Sequence, residues 1–166
     1  MSRALLVCVS VWQGNTAKVA KAMAEVLHAD IREPEQVDPA TLGRYDVIGF
    51  GSGIFWWSHH ARLRRFIEGL PKADGIAAFV FTTAHMGRSQ SLPWQPSLDA
   101  ILRGKGYDVV GSFACEGTDP WMPQRLIPGL YRAHPDDGDL ERARRFAERV
   151  AARAEPGGQA RDVSRS

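Results

Sequence analysis

The chain has 166 residues, 44% of them hydrophobic and 24% charged, which is typical of one globular domain with a substantial core. Its 21 basic and 19 acidic side chains are scattered along the sequence, which argues against a nucleic-acid-binding protein. The two cysteines, Cys8 and Cys115, lie inside apolar runs and favour buried thiols in a reducing compartment over a disulfide framework.

The sequence also predicts a cytoplasmic protein without a membrane segment. No apolar run reaches the length that spans a bilayer. The first apolar run, "ALLVCVSV", is not followed by the small-residue cleavage site of a secretory signal, and we interpret it as a strand.

Short apolar runs and helical stripes alternate along the chain. The runs predict buried strands over residues 4–10, 29–32, 45–52, 76–83 and 107–115, of which the second is the weakest. Apolar residues at helical spacing predict helices over 19–27, 63–70, 98–102 and 140–150. The segment 33–44 is a proline-punctuated connection with room for one helical turn.

This alternation predicts an α/β fold, a doubly wound five-stranded parallel sheet with helices on both faces. We expect one domain over residues 1–154 and a disordered polar tail over 155–166. Ligands of such sheets bind beyond the carboxyl ends of the strands, where the strand order reverses. The residues that follow the strands, 10–16, 51–60, 82–90 and 115–124, are therefore the candidates for function.

The first of these connections, "SVWQGNT", suits a phosphate. It leads into a helix N-terminus, Gly14 allows close backbone approach, and Ser10, Asn15 and Thr16 offer side-chain donors. The alternative is a plain helix cap, since Asn and Thr are favoured there in any protein. The sequence contains neither a Walker loop nor a complete G-x-G-x-x-G fingerprint. It also has no aspartate at the end of the predicted strand 45–52, where a receiver domain requires one.

Three segments in register resemble the flavodoxin family, and more closely a bacterial flavodoxin-domain branch. They are "SVWQGNTAKVA", "YDVIGFGSGIFWWSHHARLRRFIEGLP" and "VGSFACEGTD…HPDDGDLERARRFAERV", and the resemblance spans about residues 3 to 152. It implies the strand order 2-1-3-4-5 and a bound FMN at the switch point.

The resemblance also implies three cofactor-binding loops. The first holds the FMN phosphate, and the other two line the two sides of the isoalloxazine ring. In chain order the loops comprise Ser10, Trp12, Gln13, Gly14, Asn15 and Thr16; then Ser52, Gly53, Ile54, Phe55 and Trp56; then Thr82, Thr83, Ala84, His85, Met86 and Gly87. Trp12, the "FWW" run and "AHMGR" depart from the family pattern and leave the shape of the ring pocket open.

The resemblance leaves two roles open, an electron carrier and an enzyme. Carriers of this family are strongly acidic, whereas this chain is nearly neutral, so an FMN-dependent oxidoreductase acting on a quinone or another small molecule is the alternative. His85 is the candidate catalytic residue, with His59, His60 and Arg88 as possible neighbours at the flavin edge. For His59 and His60 the simpler interpretation is that they begin a helix and face water. A third hypothesis is an interaction module that binds no flavin. The spacing of these histidines does not match a metal site, so no metal is expected.

The long connection before the last helix and the adjacent tryptophans each have two possible interpretations. The connection 116–135 is about twenty residues long, and it forms either a lid or dimer contact or a self-packed surface loop. Of the adjacent Trp56 and Trp57, only one can face the flavin, and Trp56 is favoured. The expected partners are a redox protein or a small electron donor or acceptor, with a homodimer as one option.

Overall fold

The five predicted strands form one parallel sheet, and their spatial order confirms the predicted topology 2-1-3-4-5. A computed structural model of the chain describes residues 3–11, 14–55, 58–84, 95–117 and 134–154. The parallel strands are β1 (Ala4–Val9), β2 (Asp30–Arg32), β3 (Val47–Phe55), β5 (Ala77–Ala84) and β6 (Asp108–Glu116). The chain order reverses between β1 and β3, which is the switch point of the fold.

A short antiparallel strand, which the sequence does not predict, pairs with the carboxyl end of the third strand of this sheet. This strand, β4 (Ser58–His59), pairs with the end of β3, where Ile54 lies opposite His59. The interpretation that His59 begins a helix is therefore wrong, because its backbone belongs to a strand. His60, the next residue, does begin a helix.

Within the described residues, four α-helices cover the two faces of the sheet. They are α1 (Asn15–Leu27), α2 (Ala61–Glu68), α3 (Gln95–Gly104) and α4 (Asp137–Ala154). Helices α1 and α4 pack on one face, and α2 and α3 on the other. Two 3-10 helices, Pro34–Gln36 and Pro39–Arg44, occupy the proline-rich connection. The predicted tail, residues 155–166, lies outside the part of the chain that the structure describes.

Glycines of β3 make room for aromatic rings on the face that α1 and α4 cover. A Cβ on Gly51 would collide with the ring of Phe81, and a Cβ on Gly49 would collide with Leu6 and Phe79. Both phenylalanines are fully buried. The "GFGSG" run is thus a packing feature of this sheet, in which rings from β5 lie over the side-chain-free surface of β3.

In the described ranges, no helix is both long enough and apolar enough to span a bilayer.

Candidate functional site at the carboxyl edge of the sheet

Buried polar side chains concentrate at the carboxyl edge of the sheet. Six polar or charged side chains are buried among the described residues, and all but Asp139 belong to the predicted site: Asn15, Thr16, Ser52, Thr82 and Thr83. Thr82 and Thr83, like Ser52, follow long runs of apolar strand residues. Burying a polar group costs free energy unless it is hydrogen-bonded, so these side chains need hydrogen-bond partners at this edge.

The N-terminus of α1 is open toward this edge. Gly14 is its N-cap residue with φ 69°, and glycine has no side chain with which to cap the helix itself. The first turn, described throughout, contains no acidic residue that would neutralise the positive end of the helix. Nothing the structure describes lies within 4 Å of the place where a Cβ on Gly14 would stand. The positive end of α1 therefore lies beside space that no described residue fills at Gly14.

Ser10 closes the loop between β1 and α1. Its Oγ accepts a hydrogen bond from the backbone N–H of Ala17 at 3.1 Å. The hydroxyl thereby satisfies one of the N–H groups that a helix start leaves unpaired. Its own hydrogen remains able to donate, so Ser10 both shapes the loop and retains a donor.

Thr16 of the first loop and Thr83 of the third contact one another directly. Their Oγ1 atoms lie 2.8 Å apart, and both side chains are buried. Gly117, beyond the end of β6, completes this group. A Cβ on Gly117 would stand 3.2 Å from Asn15 Nδ2 and 3.4 Å from Thr83 Cβ. The backbone N–H of Gly117 donates to the carbonyl of Ala84 at 3.0 Å.

Ser52 and Thr82 lie side by side in the sheet, on the other face from Thr83. Both are fully buried, and their hydroxyls bond to the protein itself. Ser52 Oγ accepts from the backbone N–H of His60 at 3.3 Å, and Thr82 Oγ1 lies 3.4 Å from the carbonyl of Phe113. Ser52 therefore ties the end of β3 to the start of α2.

His60 caps α2 rather than standing free at the edge. Its Nδ1 accepts from the backbone N–H of Arg62 at 3.3 Å. Arg62 in turn bonds Glu35 through Nε at 2.8 Å and Glu33 through Nη2 at 2.6 Å. The hydrogen bond from Arg62 is the main reason that the pKa of Glu35 is lowered to about 2. These contacts fix the start of α2 relative to the chain that follows β2.

Several predicted site residues fall outside the described residues. These are Trp12, Gln13, Trp56, His85, Met86 and Gly87, and of Phe55 only the backbone is described. Trp57, Arg88 and most of the 116–135 connection fall there too. Of the remaining predicted residues, Gly53 and Ile54 are half-buried at the end of β3, and Ala84 is buried at the end of β5.

A cluster around His134, at the start of α4, was not predicted as part of the site. His134 Nδ1 lies 2.7 Å from Asp139 Oδ2, and His134 Nε2 lies 3.4 Å from Glu116 Oε2. Asp139 is buried and also accepts from Arg142 and from the backbone N–H of Asp136. Burial alone would raise the pKa of Asp139, but these hydrogen bonds, first of all that of His134, hold it below its usual range. Aspartates three apart before an apolar stripe are the sequence signal of this cap.

The group His134, Asp136 and Asp139 contains residue types that bind metals. However, both oxygens of Asp139 already accept hydrogen bonds from protein groups. The arrangement is therefore explained as a reinforced helix cap. Asp136 Oδ1 accepts from the N–H of Asp139 at 2.8 Å, which closes the reciprocal pair.

The two cysteines are not candidates for catalysis. Both are free and buried, as the sequence predicts. Burial raises the pKa of each thiol to about 12, so neither forms the reactive thiolate near neutral pH.

Comparisons with known proteins agree with this architecture. The family model of the flavodoxin domain matches residues 6–105. An uncharacterized protein of Methanocaldococcus jannaschii is 34% identical over 148 residues, which is 89% of this chain and 97% of that protein. The solved structure of oxidised Flavodoxin 2 from Bacillus cereus matches with a TM-score of 0.71 at 19% identity, over 92% of this chain and 99% of that one. A flavodoxin, WrbA-like protein from Agrobacterium tumefaciens matches with a TM-score of 0.65 at 20% identity, over 93% and 98%.

Proposed function

Because the chain belongs to the flavodoxin family, we propose that it binds FMN at the carboxyl edge of the sheet and transfers electrons through the bound flavin. The observation that supports this best is the open N-terminus of α1, which has a left-handed glycine at its cap and is flanked by buried Asn15 and Thr16. A helix start with glycine at the N-cap and no acidic residue in its first turn is a suitable place for a phosphate.

The described residues fit the phosphate end of FMN. The space at Gly14 is open, Ser10 keeps a hydrogen to donate, and the buried Asn15 adds an amide. These are neutral donors, and the helix dipole supplies the favourable charge. The hydroxyl of Thr16, a predicted phosphate ligand, also lies 2.8 Å from that of Thr83 and so connects this loop to the end of β5.

The end of β3 supports the flavin ring. Gly53 and Ile54 are only half-buried there, and they directly follow Ser52, which pairs with Val9 of β1 at the switch point. A bound FMN supplies reversible acceptance of one or two electrons, which no amino-acid side chain provides. The contribution of the chain is to bind the cofactor, orient it and cover its apolar surface.

The first test is the visible spectrum of the purified protein during stepwise reduction, with the released cofactor identified by mass. A yellow protein that releases FMN and bleaches in two resolved one-electron stages supports the electron carrier. A colourless protein that takes up no added FMN refutes the proposal.

An FMN-dependent oxidoreductase is the second candidate, and the charge balance favours it. With 21 basic and 19 acidic side chains, the protein lacks the acidic surface that steers carriers onto basic partners. In this version a quinone or another small organic molecule is reduced at the flavin, and His85 is the candidate catalytic residue. Bleaching in a single two-electron stage and turnover with NAD(P)H and a quinone would favour the enzyme. A His85→Ala variant that keeps full turnover would remove His85 from that mechanism.

The partners follow from this choice. A carrier requires a redox protein, and an enzyme requires a small donor and acceptor. The homodimer is tested by the mass of the protein in solution, measured with and without residues 121–131. The two free, buried cysteines support the predicted cytoplasmic location, where thiols stay reduced.

A further inference from the structure

His134 connects the start of α4 with the end of β6. One ring nitrogen, Nδ1, lies 2.7 Å from the buried carboxylate of Asp139. The Asp139 carboxylate also accepts from Arg142 and from the backbone N–H of Asp136, so we assign Nδ1 as the donor in this contact. The other ring nitrogen faces Glu116 Oε2 at 3.4 Å. The imidazole is thus held on one side by α4 and contacts the last residue of β6 on the other.

Asp139 is itself held firmly, which makes it a rigid support for the ring. Its carboxylate accepts from Arg142 and from the backbone N–H of Asp136, and only 3% of its side chain is exposed. Contacts within the first turns of α4 and its cap therefore determine the position of Asp139, and Asp139 in turn orients the His134 ring. A side chain oriented by such buried partners loses little entropy when it makes a further contact.

Glu116 leads directly to Gly117, which lies against the predicted phosphate loop. The backbone N–H of Gly117 donates to the Ala84 carbonyl at 3.0 Å. Its Cα carries no side chain at the place where a Cβ would stand 3.2 Å from Asn15 Nδ2. A small shift of Glu116 and Gly117 would therefore change the space beside the Asn15 amide.

We propose that His134 and Gly117 are positioning residues for the cofactor phosphate: the His134–Glu116 contact holds Gly117 against Asn15 and so orients the phosphate-binding loop. This inference rests on the proposed binding of FMN. Neither residue touches the cofactor in this scheme. Their effect reaches it through Asn15, along contacts that join the first turns of α1 and α4.

The experiment compares the affinities of FMN and riboflavin for the flavin-free full-length chain, measured by quenching of flavin fluorescence. His134→Gln removes the imidazole that contacts Asp139 and Glu116, and Gly117→Ala pushes directly on Asn15. We expect both variants to bind FMN about three- to tenfold more weakly, the effect of one lost hydrogen-bonded restraint. Riboflavin, which has no phosphate, keeps its wild-type affinity. Arg145→Ala is the matched control, since it breaks an exposed ion pair with Glu141 on α4, and it keeps both affinities.

Unchanged FMN affinity in both variants, or an equal loss of FMN and riboflavin affinity, overturns the proposal. If His134→Gln does not fold, Glu116→Gln weakens the same contact from its half-exposed end. A second readout is the rise in melting temperature that inorganic phosphate gives the flavin-free chain. We expect this rise to shrink in His134→Gln and Gly117→Ala and to persist in Arg145→Ala.

The two readouts separate this proposal from the proposed function. If the wild-type chain binds neither flavin but is stabilised by phosphate through His134 and Gly117, the FMN assignment fails and the positioning role stands for an anion site. If FMN binds and the variants behave as wild type, the positioning role fails alone. If the wild-type chain binds neither flavins nor phosphate, both proposals fail.

Discussion

The hydroxyl oxygens of Thr16 and Thr83 lie 2.8 Å apart in the buried part of the site, although the two residues are 67 positions apart in the sequence. Thr16 belongs to the first turn of α1 and Thr83 to the end of β5. This contact joins the predicted phosphate loop to the strand that leads into the third predicted loop. The two loops are therefore not independent, and a change at one is expected to reach the other.

Thr83→Val tests this contact. Valine keeps the shape of threonine and removes the hydroxyl, which leaves Thr16 Oγ1 buried without this partner. We expect a loss of about 1–3 kcal/mol in the free energy of unfolding, the cost of an unsatisfied buried polar group. Urea unfolding of the flavin-free protein measures it. The double variant Thr16→Val with Thr83→Val should lose less than the sum of the two single variants, and strict additivity would contradict a direct bond.

Gly51→Ala tests the packing of β3 against β5. The added methyl would collide with the ring of Phe81, which is fully buried and has no open space to enter. We expect a loss of about 1–3 kcal/mol in the free energy of unfolding, typical of overpacked cores. Gly43→Ala is the control, since no described atom lies within 4 Å of its Cβ position, and its urea midpoint should stay close to wild type. Equal midpoints for the two variants would refute the packing argument.

Gly14→Ala tests the opening of the phosphate loop. Its φ of 69° is a left-handed conformation that costs alanine about 1–2 kcal/mol. We expect both a lower melting temperature and a weaker affinity for FMN, because relief of the strain rotates the N–H groups at the helix start. Gly75→Ala provides the matched control, with φ 71° and open space at its Cβ position. It should lose similar stability and keep its FMN affinity. Equal losses of affinity in both variants would show that the effect is not local.

Cys8 and Cys115 should be unreactive in the folded protein. Burial raises the pKa of both thiols to about 12, and neither side chain is open to a reagent. We expect no thiols to be titrated by a disulfide reagent at pH 8 under native conditions and both to be titrated in denaturant. Rapid reaction of either thiol in the native state would contradict the buried assignment.

Asp139 should make the stability of the fold dependent on acid pH. Its pKa in the folded state is lowered, so its contribution is present above the pKa of the unfolded chain and is lost as the pH falls through the folded value. Asp139→Asn should therefore be less stable at pH 7 and show a flatter loss of stability between pH 5 and about pH 3. Asp137→Asn, an exposed position in the same turn, should follow the wild-type profile. Parallel profiles for wild type and Asp139→Asn would contradict this role.

The elements of the fold were predictable because their signals are local. A continuous apolar run such as residues 76–83 is typical of a strand buried on both faces of a parallel sheet, and β5 occupies Ala77–Ala84. The two-residue strand β4 was missed, because so short a strand has no period of its own and exists only through pairing with β3. His59 was assigned to a helix for the same reason, since local sequence cannot reveal a pairing partner.

The sequence by itself determined the order of strands and helices, and it located the candidate loop around Gly14, because periodicity, glycine and helix-cap residues act within a few positions. Only the tertiary structure decided which side chains meet. It placed Thr83 on Thr16, Gly117 beside Asn15, and His134 between Asp139 and Glu116. Such contacts depend on the strand order and on the register between distant segments, and the free energy of burying a polar group is settled only when its partner arrives from elsewhere in the chain.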